Sequence, residues 1–145
     1  MQYIGTDLFR DALHPNTHVN ALFSELRPDS KFIITDVRFI NEADAILNSG
    51  GIVIRLNRKL EERFPELWKV YLDQKKGDYT TEDDFCLYLI NQLNPDIREF
   101  GKSLVHTSEI DLDRYQKFSA IVDNNSTIED LHNTVKDCIK LFSIS

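Results

Sequence analysis

Lys31-Phe32-Ile33-Ile34-Thr35-Asp36 and Ile52-Val53-Ile54-Arg55-Leu56 are two apolar runs, separated by the helical stretch Asn41 to Asn48 and the pair Gly50-Gly51. Consecutive rather than alternating apolar residues predict strands covered on both faces, as in a parallel sheet. Strand, short helix, glycine pair and strand make one βαβ unit with short connections. The fold class read from this stretch is α/β.

Downstream, Ser119-Ala120-Ile121-Val122-Asp123 predicts a third strand, with Asn124-Asn125 as its turn. Ser126 or Thr127 then caps a closing helix from Ile128 to Phe142. Leu131, Val135, Cys138, Ile139 and Phe142 lie on its apolar stripe. Between the second and third strands the rhythm breaks. From about Asn57 to Ser103 the chain is charged, with apolar positions Phe64, Leu67, Trp68, Leu72, Phe85, Leu89, Ile90 and Leu93 spaced as in one-sided helices. Asp78 to Asp83 reads as a turn into one of them. Upstream, a helix starts from a Thr6 or Asp7 cap and is interrupted at Pro15. A second short helix runs from His18 through Leu26, and Arg27-Pro28-Asp29-Ser30 is a turn.

The composition suits one folded domain, at 145 residues, 41% hydrophobic and 28% charged. Twenty-four acidic residues against 17 basic ones give a formal net charge of -7. That field disfavours non-specific binding to nucleic acid or to anionic membrane. Cys86 and Cys138 offer neither a disulfide framework nor a zinc knuckle, and read as core thiols of a reducing compartment. No apolar run approaches the ~18 residues that span a bilayer, and no signal-peptide plan opens the chain. The expected location is the cytoplasm.

Open parallel sheets bind ligands just beyond the carboxyl ends of their strands. That rule selects Asp36 and Arg38 after the first strand, Arg58 after the second, and Asp123, Asn124 and Asn125 after the third. Arg10, Arg38, Arg55 and Arg58 are the basic candidates, because a guanidinium is permanently charged and forks onto phosphate oxygens. The competing reading is four solvated or salt-bridged arginines. Asp36 suits a magnesium-bound water or a substrate hydroxyl, or else caps the next turn. Asn41 and Glu42 suit a base or sugar, or else cap their own helix. His106 and Glu109 are a weak metal pair with no third ligand in register. No Gly-x-x-x-x-Gly-Lys-Ser/Thr occurs, so no loop of this sequence is recognisable as a cradle for triphosphate.

Several stretches together resemble the bacteriophage and large-virus deoxynucleoside monophosphate kinases, within the P-loop kinase fold. They are Gly5 to Asp11, Val19 to Ala21, Thr35 to Ala43, Gly50 to Arg58, His106 to Glu109 and Val122 to Leu131. The resemblance implies a three-layer open parallel sheet over residues 1–145, incomplete at its N-terminal side, with 59–103 as a lid-like helical insertion. It implies phosphoryl transfer from ATP, with magnesium, to a deoxynucleoside monophosphate. Arg10 and Arg38 would hold the acceptor phosphate, with Asn41 and Glu42 near the nucleoside. Arg58 would reach the transferring group with Arg55 as its neighbour. Asp123, Asn124, Asn125 and Ser126 would lie near the ATP base. Members of that family begin with a strand, a phosphate loop and a helix. The expectation is therefore a truncated or split kinase, completed by an N-terminal polypeptide or by a second copy. The alternative is a catalytically inactive nucleotide-binding or interaction module.

Overall fold

The computed structural model describes residues 14, 16–27, 30–75 and 80–142. Its elements in chain order are α1 (Thr17–Glu25), α2 (Ile40–Asn48), β1 (Ile54–Asn57), α3 (Leu60–Arg63), α4 (Pro65–Gln74), α5 (Glu82–Ile90), α6 (Pro95–Leu104) and α7 (Thr107–Ile110). A 3-10 turn (Asp111–Arg114), β2 (Ala120–Asp123) and α8 (Ile128–Leu141) follow. The fold is mixed α/β, and its sheet is a two-stranded parallel pair. The chain divides into two compact units. One comprises the chain up to Val53 together with Val105–Lys117, and the other comprises Ile54–Leu104 together with the chain from Phe118 onward. No helix among the described residues is long and apolar enough to cross a membrane.

In the first unit, α2 is fixed at both ends. Its first turn leaves backbone N–H groups without helical partners. Glu42, in the third position of the helix, accepts from the N–H groups of Arg38 (2.9 Å) and Phe39 (3.1 Å). Asp111 accepts from Ile40 N–H at 2.9 Å. At the other end Gly50 takes φ +78°, which L side chains rarely adopt, and the N–H groups of Gly50 and Gly51 return to Leu47 and Ile46. Ala43 on α2 is fully buried, with Phe39 and Val53 nearly so.

The segment read as the first strand is the main correction. Residues 31–38 carry neither helix nor strand, and Ile33 is 91% exposed. A strand is a relation between two stretches of backbone, and consecutive apolar residues specify one only where neighbours flank both edges. Among the described residues the sheet consists of β1 and β2 alone. The helix read from Thr6 or Asp7 lies outside the described residues, as does Arg10.

In the second unit β1 and β2 pair in register from Ile54 opposite Ala120 to Asn57 opposite Asp123. Asn124 N–H continues the ladder to the Asn57 carbonyl at 2.7 Å. The expected helices of the charged stretch are present as α3 to α6. Pro65 opens α4 at a position where no N–H is needed, and Thr81 caps α5 by accepting from Asp84 N–H at 3.1 Å. Their buried core is Leu60, Tyr71, Phe85, Cys86 and Leu89, with Phe64, Leu67, Trp68 and Phe100 packed against it. Trp68 and Phe85 rings lie 4.8 Å apart, Tyr71 and Phe85 5.5 Å, and Phe64 and Phe100 4.9 Å, the last edge to face. Two positions of the one-sided pattern, Leu72 and Leu93, are exposed instead. Thr127 and Asp130 form a reciprocal capping box at the start of α8, whose stripe is only partly covered: Val135 and Ile139 are exposed.

α5 and α6 approach closely at Gly101. A Cβ there would stand 2.7 Å from Leu89 Cβ and 2.8 Å from Ile90 N, a backbone atom that cannot swing away. Alanine would bring ~1 kcal/mol of helix propensity, but the overlap outweighs it. Gly101→Ala is expected to destabilise by ~1–3 kcal/mol, read as a lower urea midpoint at unchanged m-value. The Tyr71 hydroxyl is buried with no hydrogen-bond partner among the described residues. Such a group costs ~1–3 kcal/mol, so Tyr71→Phe, which keeps every ring contact, is expected to leave the melting temperature equal or raise it.

Candidate functional site

Arg38 is the centre of a charged cluster in the first unit. Its Nε donates to Asp36 Oδ1 and its Nη1 to Glu109 Oε1, each at 2.5 Å. The hydrogen bond to Asp36, with the charges of Asp36, Glu109 and Glu42, raises the guanidinium further above its ordinary value. Among the described residues Nη2 has no partner, so its N–H donors are open. The side chain is about two-fifths exposed. An arriving anion meets a cation already compensated by two carboxylates. It reaches Nη2 directly and gains a bidentate hold only by displacing one of them, of which Asp36, at 72% exposure, is the looser.

Of the two roles open to Glu42, the helix-capping one is present, through Oε2 alone. Asn41 Nδ2 donates to Asn16 Oδ1 at 2.8 Å. His106 Nδ1 meets Ser108, through Oγ at 3.0 Å and N–H at 3.3 Å, and Glu109 accepts from Arg38. Among the described residues no three His, Cys, Asp or Glu side chains gather as a metal site. Asp111 is the participant that sequence reading missed, and Glu109, read there as half of a weak metal pair, is a partner of Arg38. Each comes from 71 residues away, and only the orphan donors of the helix start signalled that an acceptor such as Asp111 must come.

Beside the cluster a cavity of about 200 Å3 opens between α1, α2 and residues 34–37. Val19, Leu22, Phe23, Ile34 and Ile46 form most of its apolar wall, and His18, Asp36 and Glu42 supply its polar groups.

In the second unit the parallel pairing sets the carboxyl ends of β1 and β2 side by side. Asn125 Oδ1 accepts from Lys59 N–H at 2.9 Å and ties the two strand-end turns together. Arg58 is exposed, with Nη2 on the Glu62 carbonyl at 3.2 Å. Arg55 donates to Asn57 Oδ1 at 2.7 Å and lies 5.6 Å from the centre of the Phe118 ring. Asp123 and Asn125 are exposed. Ser126 donates to Asp130, whose carboxyl is held below the usual range by the hydroxyls of Ser126 and Thr127. Burial, reinforced by Asp83 and Glu82, pushes the Cys86 thiol up, as suits a residue of the core.

The chain is similar to a protein of Acanthamoeba polyphaga mimivirus that bears the name "Putative deoxynucleotide monophosphate kinase". The two are 27% identical over 152 residues, covering 96% of this chain and 58% of the relative. The chain thus spans somewhat more than half the relative's length. No protein-family model and no solved structure matches it.

Behind α2 a second network fixes the helix to the returning chain. Asp44 Oδ1 accepts from the Tyr115 hydroxyl at 2.7 Å and from Lys117 Nζ at 3.1 Å. The hydroxyl first, and the ammonium second, hold the Asp44 carboxyl below its usual range. Burial and the same bond push the Tyr115 phenol up to about 12. A raised phenol value means that neutral Tyr115 favours the fold. Its contribution is complete below the ordinary value of about 10 and is lost as pH climbs through about 12. Asp44 contributes above the ordinary carboxylate range and loses its contribution as pH falls through its depressed value. Tyr115→Phe is expected to remove the alkaline dependence and to move the Asp44 titration back toward the ordinary range. Stability against pH, with NMR titration of the Asp44 carboxyl, checks both limbs.

Proposed function

We propose that this chain is part of a deoxynucleoside monophosphate kinase and that its first unit holds the acceptor nucleotide. The observation that carries the proposal is Arg38, a partly exposed guanidinium just before α2 with its Nη2 open, beside a cavity lined by Glu42. The similarity to the mimivirus protein, which extends over nearly the whole chain, supports the same reading.

In this proposal the acceptor phosphate displaces Asp36 and takes a bidentate hold on Arg38. Arg10 is the second phosphate ligand, and Asn41 and Glu42 face the nucleoside. The parallel pair β1 and β2 belongs to a larger open sheet of the P-loop kinase type, three-layered when complete. Residues 59–103 serve as its lid-like excursion. In the second unit Arg58, with Arg55 as its neighbour, compensates charge on the transferred phosphoryl group. The turn Asp123, Asn124, Asn125 and Ser126 borders the donor base. Phosphoryl transfer rests on positioning and charge compensation, so arginines in these roles suffice without a covalent intermediate.

The donor side fits less well. The sequence carries no glycine-rich phosphate loop, and Asp36, the carboxylate best placed by sequence to reach a magnesium-bound water, is bound to Arg38. ATP and magnesium would therefore be held chiefly by residues other than these. One specific observation favours a second reading: Arg38 is already compensated by two carboxylates, as suits a binding module without donor chemistry.

Calorimetric titration with thymidine monophosphate and with thymidine isolates the phosphate. The monophosphate is expected to bind and the nucleoside to bind far more weakly. Arg38→Ala, at a partly exposed position, is expected to weaken the monophosphate ~10- to 100-fold, the value of a hydrogen-bonded charge. Equal binding of both ligands, or indifference to Arg38→Ala, would overturn the acceptor role. A parallel titration with ATP and magnesium separates a chain that carries its own donor site from one completed by another polypeptide.

A further inference from the structure

We infer that the two carboxylates on Arg38 have opposite roles: Glu109 is a positioning residue that orients the guanidinium for an anion, and Asp36 is an intramolecular competitor that occupies the anion's place. The inference rests on the acceptor reading of the first unit.

The planar group separates the two. Nε and Nη2 lie side by side along one edge of a guanidinium, and that pair matches two oxygens of a phosphate. Asp36 Oδ1 takes Nε, and Nη2 has no partner among the described residues. Glu109 Oε1 takes Nη1, which is off that edge. Withdrawal of Asp36 therefore clears a whole bidentate edge while Glu109 still fixes the plane. Withdrawal of Glu109 would leave Nε blocked.

The backbone ranks them the same way. Glu109 sits on a stretch secured to its surroundings. Ser108 is buried, Glu109 N–H donates to the His106 carbonyl at 2.8 Å, and Asp111 accepts from Ile40 N–H at 2.9 Å. Asp36 lies in residues 31–38, which carry neither helix nor strand, and its bond to Arg38 is the only hydrogen bond it makes among the described residues. Side-chain exposure is 72% for Asp36 and 32% for Glu109. An exposed pair on an irregular segment breaks at little cost. A long side chain already held in place spares the ligand the cost of ordering it.

Alanine at either position removes one negative charge from the same guanidinium, so a plain charge effect moves both variants alike. Calorimetric titration with thymidine monophosphate separates the two accounts. Asp36→Ala is expected to bind ~2- to 5-fold tighter than wild type, the strength of an exposed ion pair. In the Arg38→Ala background the same substitution is expected to bring no gain. Glu109→Ala is expected to bind ~2- to 10-fold weaker, the cost of ordering one long side chain. Glu109→Gln keeps an acceptor for Nη1 without the charge, and is expected to recover wild-type affinity.

Tightening in both alanine variants, no gain in Asp36→Ala, a gain that survives Arg38→Ala, or a Glu109→Ala affinity that is unchanged or that Glu109→Gln fails to recover would overturn the division of roles. The acceptor reading would then still stand. Should Glu109→Ala not fold, the pair Asp36→Asn and Glu109→Gln decides: a gain in Asp36→Asn alone upholds the roles, and any other pattern overturns them. Absence of binding by both folded wild type and Asp36→Ala would overturn the acceptor reading as well.

Discussion

The first turn of α2 exposes backbone N–H groups that no carbonyl of the helix can reach, and the way they are satisfied sets the position of Arg38. Glu42 folds back from within the helix to accept from two of them, and Asp111 arrives from a distant part of the chain to accept from a third. Charge-assisted bonds of this kind are short and directional, and they suit the positive end of the helix dipole. With the backbone of residues 38–40 so held, the Arg38 side chain projects between Asp36 and Glu109. Glu42 also lines the cavity, and the same two bonds hold it there.

The cluster is rich in negative charge. Arg38 faces Asp36 and Glu109, with Glu42 and Asp111 close along the helix start. A phosphate adds to that excess unless a carboxylate withdraws or a cation accompanies it. The exposure of Asp36 makes its withdrawal inexpensive in solvation, since its oxygens already face water. Glu109 is more enclosed and anchors α7 to the arginine. The arrangement separates a fixed partner from an exchangeable one around a single guanidinium.

The parts legible in the sequence were those set by neighbours close in the chain. The periodicity of Ile128 to Phe142, the glycines after Asn48 and the start of a helix at the end of Asp78 to Asp83 all report local backbone preferences, and each helix stands within a few residues of its expected place. The apolar run after Lys31 misled because it encodes a demand for burial and not the identity of the strands that satisfy it. Arg38 and Glu42 were visible as polar residues following an apolar run. Their partners Glu109 and Asp111 were not, since nothing in a one-dimensional pattern says which acidic residue of a later turn meets an earlier helix. The same holds for Tyr115 on Asp44, and for Gly101, whose reason is the closeness of Leu89 and Ile90.

The division into two units has a topological consequence. Each unit is assembled from separate stretches of chain, so the polypeptide passes from one to the other after Val53, after Leu104 and again after Lys117. No single cut releases either unit whole. A proteolytic nick after Leu104 would leave the two stretches of each unit held together by noncovalent contacts alone. The first unit cannot be completed during synthesis until residues 105–117 have emerged, by which time the whole helical excursion has already been made. Glu109, Asp111 and Tyr115 all lie on that returning stretch, so the surroundings of Arg38 are finished only after the helical excursion has been synthesised.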